Sequence, residues 1–251
     1  MHKCRLLTPL LGAAMLFAAP AVAAAPDKAV AAAVADKQRI ADNRKQDEGR
    51  QPAAVLEFAQ VKPGSTVADL LAGNGYYSEM LADLVGPKGT VIPMNSPGFH
   101  KADTWATLLK AHPNMAPMVR PVNQMALAPK SVDMIFTHLV YHDLYWESEK
   151  FKFARVDVDA MVADWFRAVR PGGTVIVVDH VGPAGNTREV VEKLHRIDAA
   201  TVRADMERAG FVFDGENEAL RIKADDHSKN VFDPAIRGKT DRFMMRFKKP
   251  V

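Results

Sequence analysis

A chain of 251 residues, 48% of them hydrophobic, can bury one sizeable core and reads as a single α/β domain. With 33 basic residues against 30 acidic ones and no basic run or stripe, nothing in it points to nucleic acid as a partner. The one cysteine, Cys4, lies near the start, so the body of the chain carries no disulfide, thiolate nucleophile or cysteine-ligated zinc.

Lys3 and Arg5 precede an apolar run over 10–19 that leads into Ala21-Val22-Ala23-Ala24-Ala25. This is the pattern of a secretory signal peptide, with cleavage after Ala23 or Ala25. The run is short, is flanked by Pro9 and Pro20, and closes in small residues, which disfavours a membrane anchor. Cys4 precedes the run and leaves with the leader, residues 1–25, as do Lys3 and Arg5. The mature protein is therefore expected in the periplasm or outside the cell, without a stable membrane anchor and near charge neutrality.

Residues 26–51 form a helical lead-in, Ala-rich at first and polar over 36–50, and Pro52 opens a second helix at the start of the main domain, 52–251. Lys62-Pro63-Gly64 turns the chain into a first strand over 66–70. That strand runs into Gly73-Asn74-Gly75 and then a helix over 76–85, which Gly86-Pro87 ends. The two glycines permit a sharp turn and a close approach of backbone to a ligand, and Asp69 sits where the strand meets the turn. A second strand over 89–94, a helix over 105–111, a short strand over 118–122 and a fourth over 132–138 follow. An amphipathic helix over 157–169 stops at Arg170-Pro171-Gly172-Gly173, and the β-branched run 174–179 suits a strand buried on both faces. One helix over 188–209, a strand from Phe211 and a closing strand over 242–247 complete the pattern. Strands alternating with helices, with glycine-rich strand exits, make a doubly wound, mostly parallel sheet whose ligand site lies at the carboxyl ends of the strands.

In this order the motifs resemble the class I S-adenosylmethionine-dependent methyltransferases over about residues 52–248. Asp69 to Gly75 is similar to that family's cofactor loop, and Ser131-Val132-Asp133-Met134-Ile135-Phe136 to its fourth strand. Leu139-Val140-Tyr141-His142-Asp143 resembles the loop that follows, Arg170-Pro171-Gly172-Gly173 the approach to strand five, and Ala209-Gly210-Phe211 the approach to strand six. With its leader the chain resembles a group of predicted exported methyltransferases from Gram-negative bacteria. The resemblance implies a seven-stranded Rossmann-like sheet, S-adenosyl-L-methionine as cofactor and a small-molecule methyl acceptor. It places Asp69, Gly73 and Gly75 at the methionine end of the cofactor, Asn95 at the ribose, and Asn123 with Gln124 near the adenine. The chain departs from the family pattern at Leu71, which stands where glycine is usual, and at Asn95, which stands where an acidic residue is usual. An amide carbonyl is an uncharged acceptor, roughly 1–2 kcal/mol weaker than a carboxylate toward two hydroxyls.

Methyl transfer depends chiefly on holding the acceptor in line with the sulfonium methyl, so a general base is optional. If a proton must leave, His142 and Asp143 after the fourth strand and His180 at the end of the fifth are the candidates. His195-Arg196 reads as a solvated helix face, and Asp47 with Arg50 as a helical ion pair. Tyr76 and Tyr77 pack on the sheet. His138 and His142, with Asp143, Asp179 and His180, have the donor types of a nitrogen and oxygen metal site, but His138 ends a strand, so the rings need not converge and no metal is assigned. The charged segment 221–238 is expected to cover the pocket. The rival reading is a non-catalytic periplasmic protein on the same fold that binds a small ligand or a metal. A nicotinamide oxidoreductase is disfavoured, because the third glycine and the acidic end of strand two are missing.

Overall fold

The computed structural model describes Met1 and residues 27–251, so the leader lies outside the described residues. The lead-in forms α1 (Lys28–Ala35), α2 (Ala41–Arg44) and α3 (Asp47–Arg50), and α4 (Pro52–Ala59) follows. Asp27 starts α1 by accepting hydrogen bonds from the amides of Ala29 and Val30. Gln51, at φ 44°, turns the chain left-handed between α3 and α4 so that Pro52 opens the next helix.

The alternation then runs β1 (Thr66–Leu70), α5 (Tyr76–Val85), β2 (Thr90–Asn95), α6 (Ala102–Ala111), β3 (Met118–Val119) and β4 (Val132–His138). It continues through α7 (Val158–Ala168), β5 (Val169–His180), α8 (Thr187–Leu194), α9 (Ala199–Arg208), β6 (Val212–Asn217) and β7 (Arg242–Lys248). The strands make one seven-stranded sheet in the order β3-β2-β1-β4-β5-β7-β6. β1 to β5 are parallel, and β7 runs antiparallel between β5 and β6. The strand order reverses at β1, with β2 on one side and β4 on the other, which opens a crevice at their carboxyl ends.

Strand β5 shows how the sheet divides the core. Val175 and Val177 face the layer of α7 and α9, with Trp165 and Met206, while Ile176 and Val178 face the layer of α5, with Tyr77 and Met80. All four valine and isoleucine side chains are fully buried, as expected for a strand covered on both sides.

Several element boundaries differ from the sequence reading, among them α6, which starts at Ala102, and β3, which ends at Val119, and two of the differences have a physical reason. β5 begins at Val169, because Val169 already pairs with Val132 and a register shift then carries the chain over Arg170–Gly173 to the pair Met134 and Thr174, where the β-branched run starts. The single helix expected over 188–209 is two helices. His195 leaves α8 at φ 50°, and Arg196 turns inward, fully buried, to bond the carbonyls of Lys229 and Val181 and the carboxylate of Asp225. Asp198 then caps α9 through the amide of Ala200.

A buried polar clamp docks the lead-in on α5. Arg39, fully buried, pairs with Glu79 at 3.2 Å and bidentately with Asp47 at 2.9 Å, while Glu79 also accepts from the amide of Ile40 and from Asn43. Removing the cation would leave Glu79 desolvated and unpaired, a loss of about 3–5 kcal/mol. Arg39→Met should therefore lower the free energy of unfolding in urea by that amount, and the midpoint with it, without changing the far-ultraviolet circular dichroism. A midpoint unchanged from wild type would show that the lead-in is not held this way.

Candidate functional site

A cavity of about 590 Å³ opens at the crevice beside β1 and β4. Its floor carries Leu71, Gly73 and Asn95 from the first turns, and His142, Asp143, His180 and His195 from the other side. Its walls are apolar, with Phe99, Trp146, Phe153 and Phe232 among them. Val231 and Phe232 come from the segment expected to cover the pocket, and they do line it.

The glycine turn is built by tertiary ties. Leu71, Gly73 and Gly75 all adopt positive φ, at 48°, 58° and 75°. A Cβ on Gly75 would stand 2.4 Å from Cδ1 of Leu108, so glycine there lets α6 pack over the turn. Gly73 is different: among the described residues no atom beyond its chain neighbours lies within 4 Å of where its Cβ would be, and the residue lines the cavity. The Asn95 side chain accepts from the Gly73 amide at 2.8 Å and donates to its carbonyl at 3.3 Å, and the Trp105 indole donates to the same carbonyl at 3.1 Å. Asn95 thus fastens the turn rather than standing free.

Asp69 is buried, is not among the residues that line the cavity, and accepts a hydrogen bond from Ser78 at 2.5 Å. Burial pushes its carboxyl up to about 7, against the pull of Ser78 and of the Arg50 charge. Asn123 sits exposed in the short turn Val122–Gln124, away from the residues that line the cavity. Among the positions the resemblance assigns to cofactor, Gly73 and Asn95 reach the cavity.

On the other side one buried carboxylate organises the histidines. Asp179, at the end of β5, accepts from the His142 amide at 2.8 Å, from the His142 ring Nδ1 at 2.8 Å and from the His180 amide at 2.7 Å. Burial disfavours an imidazolium at His142, but the carboxylates of Asp179 and Asp143 outweigh it and push the ring up to about 9. Asp143, whose Oδ1 lies 3.4 Å from His142 Nε2, is raised by burial to about 6. His180, paired through Nδ1 with the Thr240 hydroxyl at 2.7 Å, is held well below its ordinary value by burial and then by the His142 charge. His195 is held down to about 4 by the same two causes, and its buried Nδ1 has no hydrogen-bond partner among the described residues. The ring centroids of His180 and His195 lie 5.9 and 5.7 Å from that of His142. The cavity therefore sets one protonated imidazole beside two neutral ones.

His195 corrects the reading of a solvated helix face: the break after α8 turns its ring into the cavity. The capping residue Asp198 is the sequence signal for that break. Arg50 corrects the expected ion pair, since Asp47 is taken by Arg39 and by the Tyr76 hydroxyl, and Arg50 lines the cavity instead. His138 and His142 do not converge. The His138 ring lies against Tyr77, 4.5 Å between centroids, while His142 is held by Asp179. Among the described residues no three His, Cys, Asp or Glu side chains form a group that would hold a metal ion.

The sequence matches no family model and no curated protein. In three dimensions the chain is similar to a SAM dependent methyltransferase from Aquifex aeolicus, with a TM-score of 0.55 and 21% identity over 81% of this chain and 92% of that one. It is also similar to an S-adenosylmethionine dependent methyltransferase from Mesorhizobium loti, with a TM-score of 0.57 and 14% identity over 81% and 100% of the two chains. A third similar structure is the Haemonchus contortus phosphoethanolamine N-methyltransferase 2 in complex with S-adenosyl-L-methionine, with a TM-score of 0.55 and 16% identity over 79% and 52%. These likenesses show the fold, which is that of the class I methyltransferases.

The raised His142 ring links the site to stability. A group whose folded value rises from 6.5 to about 9 gives stability that is complete below pH 6.5 and is lost as pH climbs through about 9. The loss is on the order of 3 kcal/mol. Asp69, raised from 3.8 to about 7, acts in the same direction but is spent by about pH 7. Urea midpoints should accordingly fall between pH 7 and 9.5 in the wild type and stay flatter in His142→Gln. Equal slopes in the two proteins would disprove the linkage.

Proposed function

We propose that the chain is an S-adenosylmethionine-dependent methyltransferase acting on a small molecule. The observation that carries this reading is the open cradle at Gly73, left-handed and facing a cavity that also holds His142, Asp143, His180 and His195. The similarity to solved methyltransferases supports it.

The cofactor, when bound, supplies an electrophilic methyl group. The Gly73 backbone is the place where a ligand can approach closely, with Asn95 fixing that backbone and Leu71 narrowing the space beside it. The apolar walls exclude water from the reacting groups. His195, neutral at pH 7, lines the cavity and is placed to take a proton from an acceptor. His142 is held protonated by Asp179 and is suited to donate a hydrogen bond to it. Asp143 and His180 complete the polar floor.

The alternative, a non-catalytic ligand-binding protein, is favoured by one observation: the Asn95 side chain, at the ribose position, is engaged with Gly73 on both its polar atoms. Calorimetric titration with S-adenosylmethionine and S-adenosylhomocysteine decides between the two. Binding in the micromolar to low millimolar range is expected, and Gly73→Ala, which puts a methyl into the cradle, should weaken it at least about tenfold. No binding at millimolar cofactor overturns the enzyme reading.

The leader over 1–25 supports export to the periplasm. Protein recovered from a periplasmic fraction should begin at Ala24 or Pro26. Chain that keeps Met1 and stays in the cytosolic fraction would count against export.

A further inference from the structure

A second cavity, of about 840 Å³, adjoins the first, and Arg50, Leu139, His180, Val231 and Phe232 line both. Its other lining residues are rich in cations: Lys45, Arg237, Lys239 and Arg242 stand around it, with Glu48 as the one carboxylate. A small molecule approaching the histidines from this side passes a positive rim before it meets aromatic walls.

The two arginines nearest the junction are in different states. Arg242 is spent, since its guanidinium donates to the carbonyls of Gly49 at 2.5 Å and Gly238 at 3.1 Å and to the Thr240 hydroxyl at 3.2 Å. Arg50 is partly buried and, among the described residues, its guanidinium has neither a hydrogen-bond nor an ion-pair partner. Its guanidinium lies 4.4 Å over the Tyr76 ring, which orients it but leaves its N–H donors open. The carboxylate three residues earlier, Asp47, cannot serve it, because Arg39 and Tyr76 occupy both its oxygens. Asp69, the other carboxyl whose charge acts on Arg50, is bonded to Ser78.

A desolvated cation without a partner is costly unless a ligand supplies the acceptor. We infer that the junction of the two cavities is an anion subsite headed by Arg50, and that the acceptor is an aromatic-sized small molecule bearing a carboxylate or phosphate. The carboxylate or phosphate faces Arg50, and the apolar body lies between Phe99, Trp146 and Phe232, toward the histidines. The word acceptor rests on the methyltransferase reading, whereas the anion subsite does not.

The test uses benzoate and phenyl phosphate as probes, with benzamide as the uncharged control, each titrated into the purified chain and followed by tryptophan fluorescence. Trp146 lines the cavity while Trp105 and Trp165 are buried, so quenching reports on this site. At least one anion should bind about tenfold or more tightly than benzamide, as a charge-assisted bidentate pair allows. The preference should vanish in Arg50→Met, persist in part in Arg50→Lys, which keeps the charge but not the bidentate geometry, and weaken with added salt. Equal binding of anion and amide, a preference that survives Arg50→Met, or no binding of any probe overturns the inference. A parallel titration with S-adenosylhomocysteine and with 5′-methylthioadenosine, which lacks the amino-acid end, separates the possible sources of a carboxylate. If Arg50→Met weakens S-adenosylhomocysteine alone and leaves benzoate and phenyl phosphate unaffected, Arg50 serves the cofactor and the acceptor assignment fails. If S-adenosylhomocysteine does not bind but the anion preference stands, the methyltransferase reading falls and the subsite remains.

Discussion

The Asp179 carboxylate is the constraint on which the site depends. It is fully buried at the carboxyl end of a strand covered on both faces, where a lone charge would be untenable. Three N–H donors compensate it, two from His142 and one from the His180 backbone. Those bonds tie the exit of β4 to the exit of β5, so the loop that carries His142 and Asp143 cannot move independently of the strand that carries His180. They also decide charge. A carboxylate this close favours the imidazolium at His142, while burial first, and that positive ring second, hold His180 and His195 neutral. The division of the histidines into one proton donor and two uncharged neighbours thus follows from one buried acid and from the desolvation of the rings around it.

The lead-in plays a comparable part at the other edge of the cavity. Arg39 and Glu79 form a buried pair, and Arg39 also claims the carboxylate of Asp47. A helix this short has little stability of its own, so α3 is placed by that clamp and not by its own hydrogen bonds. One outcome is that Arg50, at the end of α3, is carried to the cavity without its local partner. The segment that looks in sequence like a polar preface therefore supplies a wall of the site, and its α1 residues Val30 and Ala33 join the core layer of α5.

What was legible in the sequence is what local chemistry governs. The turn glycines, the β-branched fifth strand and the order of strand and helix follow from backbone freedom, burial and periodicity, and the sheet has that order. The layout of the site was legible for His142, Asp143, His180, Gly73 and Asn95, because each follows a strand end or a turn on the edge where ligands bind. What escaped was settled by partners distant in sequence. Spacing alone pairs Asp47 with Arg50, and only the arrival of Arg39 breaks that pair. His195 looks solvated until Arg196 is drawn into the core by Asp225 and Lys229 and turns its neighbour with it. Asn123 takes its predicted turn, yet the turn leaves it exposed.

Leu71 shows which forces hold the glycine turn. A branched side chain at φ 48° costs about 1–2 kcal/mol relative to the ordinary helical or extended regions, so local preference opposes the shape that the backbone takes. The shape persists because neighbours over-determine it. The Ala72 amide bonds the Met94 carbonyl at 3.0 Å, the Gly75 amide bonds the Ala72 carbonyl at 2.9 Å, and Asn95 and Trp105 hold Gly73 from the far side. Asn95 is suited to this role in a way that a carboxylate is not, since it both accepts from the amide and donates to the carbonyl of one residue. The two departures from the family pattern are thus coupled: the Asn95 tether helps to impose a turn that Leu71 resists, and the same tether uses the polar atoms that would otherwise face a ribose. A site built this way keeps a fixed turn at Gly73, with Leu71 beside it and the polar groups of His142, Asp143, His180 and His195 across the cavity.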